Sequence, residues 1–117
     1  KALREFLDEF EKERKITMIF GAMKEKDVPA LASALLSRTQ SLILTKTSNS
    51  RAMSAEELRS RIPVDEIPQT VILTDSVEEA MIEAEARTPA DGLILVSGSL
   101  YLVGEARQVL TQTEAAP

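Results

Sequence analysis

The chain has 117 residues, with 14 Lys and Arg against 19 Asp and Glu and a formal net charge of −5. That length suits one small domain over 1–117, and the absence of His and Cys excludes disulfides, thiolate nucleophiles, Ser-His-Asp triads and His or Cys metal sites. The acidic balance, with only three Phe and one Tyr for base stacking, argues against nucleic acid as a partner.

In chain order, Leu3, Phe6, Leu7 and Phe10 recur at i, i+3, i+4, i+7 and predict an amphipathic helix over 1–14. Ile16-Thr17-Met18-Ile19-Phe20 is a short apolar run rich in β-branched residues and reads as a buried strand that stops at Gly21. Asp27 before Val28 and Pro29 marks a helix start, an acidic cap followed by Pro in the first turn. Val28, Leu31, Ala32 and Leu35 supply its apolar stripe. The pattern then recurs. Ser41-Leu42-Ile43-Leu44-Thr45 predicts a second strand, followed by the polar loop 46–51. Ser54 with Glu57 is a capping box for a helix to about Ser60. Pro63 and Pro68 bracket an irregular connection to a third strand, Thr70-Val71-Ile72-Leu73-Thr74. Ser76 with Glu79 opens another helix, with Val77, Ala80, Met81 and Ala84 inward. After the turn Pro89-Ala90-Asp91-Gly92 comes a fourth strand, Leu93-Ile94-Leu95-Val96, then a helix from Ser99 to about Leu110 and a frayed tail over 111–117.

Continuously apolar strands alternating with amphipathic helices predict an α/β fold: a three-layer, Rossmann-like, doubly wound and mostly parallel sheet with helices on both faces. No internal repeat or linker breaks it. The longest apolar stretches fall far short of the ~20 residues that span a bilayer, so no membrane is expected. The charged, amphipathic start is unlike a signal peptide, which points to the cytoplasm. Lys1 stands where an initiator Met would be, so a piece of a larger protein is expected.

In open parallel sheets ligands bind at the carboxyl ends of the strands, near a reversal of strand order. Three loops there are notably polar. Gly21-Ala22-Met23-Lys24-Glu25-Lys26-Asp27 sets two ammonium groups beside a glycine, suited to phosphate or carboxylate, or else it is a solvated turn before a cap. Thr47-Ser48-Asn49-Ser50-Arg51 offers hydroxyls, an amide and a guanidinium fit for bidentate carboxylate binding, or else an Asx-type turn. Ser97-Gly98-Ser99 entering a helix is either an anion site or a plain cap. Neither a dinucleotide fingerprint nor a phosphate loop is present. Glu78, Glu79, Glu83 and Glu85 read as a solvated helix face. Asp75 at a strand end lacks the companion acidic pair of a receiver domain.

Taken in order, three segments resemble one family. They are Ile19-Phe20-Gly21-Ala22-Met23-Lys24-Glu25-Lys26-Asp27-Val28, Leu44-Thr45-Lys46 with Asn49-Ser50-Arg51-Ala52, and Ser97-Gly98-Ser99-Leu100-Tyr101-Leu102-Val103-Gly104-Glu105. They look like the C-terminal domain of folylpolyglutamate synthase/dihydrofolate synthase and, more distantly, that of the Mur ligases. The resemblance implies ATP-dependent amide ligation, in which a folate or pteroate carboxylate becomes an acyl phosphate and the amine of L-glutamate attacks it. It implies that Asn49, Arg51, Ser97, Gly98 and Ser99 bind substrate, and that Gly21, Lys24 and Lys26 face nucleotide phosphates. Ser50 stands where the Mur-type loop carries Pro. ATP and Mg²⁺ are then cofactors of the parent enzyme, held mainly by its own N-terminal ATPase domain. Folate or dihydropteroate, L-glutamate and ATP are its substrates. No residue of this chain is expected to be catalytic or to bind metal.

The family's Asp-Gly-Ala-His-Asn-Pro strand and its ATPase domain are not in this sequence. The isolated chain is therefore expected to bind no cofactor by itself, to be inert, and to self-associate through an exposed sheet edge. Two other readings stand beside this one: a free-standing α/β binding or regulatory module, and a Mur-type cell-wall ligase domain.

Overall fold

The computed structural model describes residues 16–36, 39–90 and 92–97. The helices expected over 1–14 and after Ser99, the tail over 111–117, and the candidate residues Gly98 and Ser99 lie outside the described residues. Four strands alternate with three α-helices: β1 (Ile16–Phe20), α1 (Val28–Leu35), β2 (Ser41–Leu44), α2 (Ala55–Arg61), β3 (Thr70–Leu73), α3 (Val77–Arg87) and β4 (Leu93–Ser97). A short 3-10 turn, Val64–Glu66, sits between the two prolines that bracket the α2–β3 connection.

Strand order is β3-β2-β1-β4, and every pairing is parallel. In register, Ile19 lies between Ile43 and Val96, and Phe20 between Leu44 and Ser97. The chain steps from β1 to β2 to β3 in one direction, then returns past β1 to place β4. With right-handed crossovers, that reversal puts α3 on the face opposite α1 and α2. The core divides accordingly. Met18, Phe20, Leu42 and Leu44 pack with Val28, Ala32, Leu35, Ala55 and Leu58 of α1 and α2. Ile19 and Ile43, one residue out of phase, pack with Val77, Ala80, Met81 and Ala84 of α3. This is why the central strands read as unbroken apolar runs: both of their faces are covered. Met18, Ile19, Leu42, Ile43 and Leu44 are all 0% exposed. Each such side chain contributes about 1.5–3 kcal/mol by leaving water.

The helix starts follow from their caps. The Asp27 carboxylate accepts the Ala30 N–H at 3.3 Å, with Pro29 in the first turn. Ser54 Oγ accepts the Glu57 N–H and Ser76 Oγ the Glu79 N–H, each at 3.1 Å. In α3 the box closes one residue early, since Glu79 Oε1 accepts the Asp75 N–H at 3.0 Å. In α2 the Glu57 carboxylate instead meets Arg61, one turn on, at 2.8 Å. The far end of α3 is tied to β1 by the Thr88 and Thr17 hydroxyls, 2.7 Å apart, which accounts for a polar residue within a buried strand. Among the described residues no helix is long and apolar enough to cross a membrane.

Candidate functional site

The reversal of strand order falls between β1 and β4, so the loop after β1 and the start of the loop after β4 flank the switch point. Backbone bonds continue the sheet a step beyond its strands. Gly21 N–H donates to the Ser97 carbonyl (3.3 Å), Thr45 N–H to that of Phe20 (3.1 Å), and Thr74 N–H to that of Leu44 (2.9 Å). Gly21 is buried at this seam. Ser97 is half-buried at the end of β4, and its carbonyl is the one that Gly21 engages.

Beyond the seam, the loops after β1 and β2 run antiparallel and are zipped together. Met53 N–H donates to the Ala22 carbonyl (3.0 Å) and Lys24 N–H to the Arg51 carbonyl (2.9 Å), on either side of an antiparallel bridge between Met23 and Ala52. Ala22, Met23, Ala52 and Met53 are buried, whereas Lys24, Lys26 and Arg51 stand exposed beside them. The apolar members anchor the ladder in the α1/α2 core, of which Ala22 and Met53 are part. The cationic side chains are left at its outer end.

The turn before Arg51 is built from its own side chains. Thr47 Oγ1 accepts the Asn49 N–H at 3.3 Å, and Asn49 Oδ1 accepts the Arg51 N–H at 2.8 Å. The Ala52 N–H closes the turn on the Asn49 carbonyl at 3.1 Å. Asn49 thus holds the Arg51 backbone through its amide oxygen, an Asx turn as the sequence allowed. Across the zip, Arg51 Nη2 lies 2.8 Å from Glu25 Oε2, in a pair whose side chains are 71% and 52% exposed. Lys46, also exposed, follows β2 on the same edge.

The structure therefore brings Gly21, Lys24, Lys26, Asn49 and Arg51 onto two joined loops, with Ser97 across the seam. In a chain of net charge −5, Lys24, Lys26, Lys46 and Arg51 gather at one end of two neighbouring strands, which equips that end for an anionic ligand. Two features were not apparent in the sequence. Glu25 reads as part of a solvated loop, yet it partners Arg51; its place between two lysines was the available signal. Thr45, 0% exposed at the end of β2, has a hydroxyl with no hydrogen-bond partner. Among the described residues no group of three or more His, Cys, Asp or Glu side chains could hold a metal ion, so no metal is assigned to these loops. An open cavity of about 340 Å³ lined by Leu36, Thr39, Asp65, Glu66, Ile67 and Pro68 lies at the opposite, amino end of the strands.

The chain is 39% identical over 114 residues to a probable bifunctional folylpolyglutamate synthase/dihydropteroate synthase of Halobacterium salinarum, covering 97% of this chain and 14% of that protein. A Haloferax volcanii protein of the same description is 35% identical over 106 residues, covering 91% of this chain and 12% of its own length. The chain thus spans only a small part of the curated relatives it matches. Among solved structures, E. coli FolC in complex with DHPP and ADP superposes with a TM-score of 0.85 at 21% identity, over 97% of this chain and 26% of that one. Mycobacterium tuberculosis folylpolyglutamate synthase complexed with ADP and AMPPCP superposes with a TM-score of 0.76 at 23% identity, over 92% of this chain and 26% of that one. At these identities the superpositions show the fold, and they agree with the Rossmann-like α/β sheet described above. The family described as "Mur ligase, glutamate ligase domain" matches residues 1–100, and this chain belongs to it.

Proposed function

We propose that the chain is the glutamate ligase domain of a folylpolyglutamate synthase, and that its β1 and β2 loops present cationic groups to the incoming amino acid and to ATP phosphate. The observation that carries this reading is the zipped pair of loops, which holds Lys24, Lys26 and Arg51 together at the carboxyl edge of the sheet. The names of the relatives support the substrate class. Folylpolyglutamate synthase is common to the haloarchaeal, mycobacterial and Yersinia proteins, while the second activity named for the haloarchaeal ones is dihydropteroate synthase and for the Yersinia one dihydrofolate synthase.

In the proposed reaction, the folate carboxylate attacks the γ-phosphorus of ATP, releasing ADP and leaving an acyl phosphate. The amine of L-glutamate then attacks the acyl carbon, an amide forms and inorganic phosphate departs. Within this chain, Arg51 receives a carboxylate of the incoming glutamate, its backbone held by Asn49. Ser97, with Gly98 and Ser99 next to it in sequence, is read as binding substrate. Lys24 and Lys26 offset phosphate charge on the loop that leaves the sheet at Gly21. A bound nucleotide–magnesium complex would supply the activated phosphoryl group. The chemistry of the donor set fits its phosphates at the lysines, and the metal is placed with an ATPase domain outside this chain. In this reading 1–117 acts as one domain of a larger cytoplasmic enzyme, with that ATPase domain as its partner and no catalytic side chain of its own.

The test is product formation by the parent enzyme carrying this chain. Given ATP, a reduced folate and L-glutamate, it is expected to release one ADP and one phosphate for each new folate–glutamate amide. Glutamate addition to a nucleotide-linked cell-wall precursor, with no reaction on folate, would contradict the reading.

A further inference from the structure

We propose that Glu25 is a displaceable counter-ion of Arg51: its carboxylate occupies the guanidinium until a ligand carboxylate takes its place, and so it lowers the site's affinity for every anion that competes for Arg51. The inference rests on the reading of Arg51 as a carboxylate binder. Glu25 carries the same functional group as the ligand that Arg51 is proposed to receive, and it already sits 2.8 Å from Arg51 Nη2.

Its position is built in by the backbone. The Lys26 N–H bonds the Met23 carbonyl at 3.1 Å, so residues 23–26 form a turn with Glu25 in its central part. The Lys24 N–H, one residue away, bonds the carbonyl of Arg51 itself at 2.9 Å. The two side chains therefore leave the same rung of the zip and meet at its outer end. Lys24 and Lys26 flank Glu25 in sequence, and the next carboxylate, Asp27, is engaged as the α1 cap.

With side chains 71% and 52% exposed, the pair is well solvated. Such an exposed pair shifts an equilibrium by no more than about fivefold. That is small enough for an amino acid making several contacts to displace Glu25. The same cost falls on a lone inorganic anion, which has only its charge to offset it. Without Glu25, a guanidinium on the loop joined to that of Lys24 and Lys26 would take phosphate, a product of the reaction, more readily.

The experiment is Glu25→Gln in the parent enzyme, with Arg51→Ala measured in parallel. For Glu25→Gln, the KM for glutamate is expected to fall about three- to fivefold, and the inhibition constant for inorganic phosphate by a similar factor. If Arg51→Ala raises the glutamate KM while Glu25→Gln leaves it unchanged or raises it, Glu25 is no competitor and the counter-ion role is overturned. If the glutamate KM falls but phosphate inhibition does not change, Glu25 does not screen Arg51 from inorganic anions and the general counter-ion role is overturned. If Arg51→Ala itself leaves the glutamate KM unchanged, the underlying reading of Arg51 fails, and the inference with it.

Discussion

Two neighbouring stretches of the carboxyl edge solve the same problem in opposite ways. The turn between β3 and α3 uses side chains to satisfy backbone. Ser76 Oγ caps Glu79 N–H, Glu79 Oε1 takes Asp75 N–H, and the buried Thr74 hydroxyl lies within hydrogen-bond distance of the Leu44 and Ser76 carbonyls. Its polar groups are consumed in starting a helix. The loops after β1 and β2 are joined backbone to backbone through the Ala22–Lys24 and Arg51–Met53 ladder, and the side chains that support backbone there are Thr47 and Asn49. That leaves the long side chains of Lys24, Lys26 and Arg51 out of the backbone bonding, and all of these are exposed. The stretches also differ in charge: Asp75, Glu78 and Glu79 stand on one, whereas the other carries Lys24, Lys26, Lys46 and Arg51 against Glu25 and Asp27. Equal polarity in sequence thus hides a difference in availability. A site for an anion belongs where the loop holds itself together without spending its cations.

The contrast can be broken from either side. The largest effect is expected where the ladder enters the core. Met53 is 0% exposed, and Met53→Ala should cost about 2–5 kcal/mol in a denaturant melt, because a cavity opens beneath the zip. A smaller loss follows at the other stretch. Ser76→Ala removes the α3 cap and should cost about 1 kcal/mol, with no effect on glutamate KM in the parent enzyme. The smallest change is expected at Thr45, between the two. Its hydroxyl is buried with no hydrogen-bond partner, so Thr45→Val should leave stability unchanged or raise it by up to about 1 kcal/mol. A loss of more than that would mean the hydroxyl has a role the geometry does not reveal.

Much of the fold was legible because local pattern and tertiary role coincide. Ile19 and Ile43 fall out of phase with Met18, Phe20, Leu42 and Leu44, and a sheet covered on both faces needs apolar residues in both phases. Asp27, Ser54 and Ser76 announce helix starts that the structure shows as side-chain caps. The composition of the site was legible in the same way, since Lys24, Lys26 and Arg51 stand in loops that follow strands. Its assembly was not. That Met23 pairs with Ala52 is a contact between residues far apart in sequence, and it leaves no periodicity in either loop. Nothing local to Glu25 marks its role for the same reason, because its partner lies on the other loop. The resemblance implies that Asn49 meets substrate, and its amide oxygen accepts the Arg51 N–H. Local spacing can suggest an Asx turn there, but not which group the turn is built to present.

The measurement that tests the account most directly is the glutamate KM of two variants of the parent enzyme, Arg51→Ala and Asp75→Asn. If the zipped loops are the amino-acid site, Arg51→Ala raises that KM by the equivalent of about 1.5–3 kcal/mol, the loss of a charge-assisted bond. Asp75→Asn, on the stretch that spends its polar groups on its own backbone, leaves the KM where it was. An unchanged KM in Arg51→Ala, or a large rise in Asp75→Asn alone, would contradict the account and move the site to the other end of the edge.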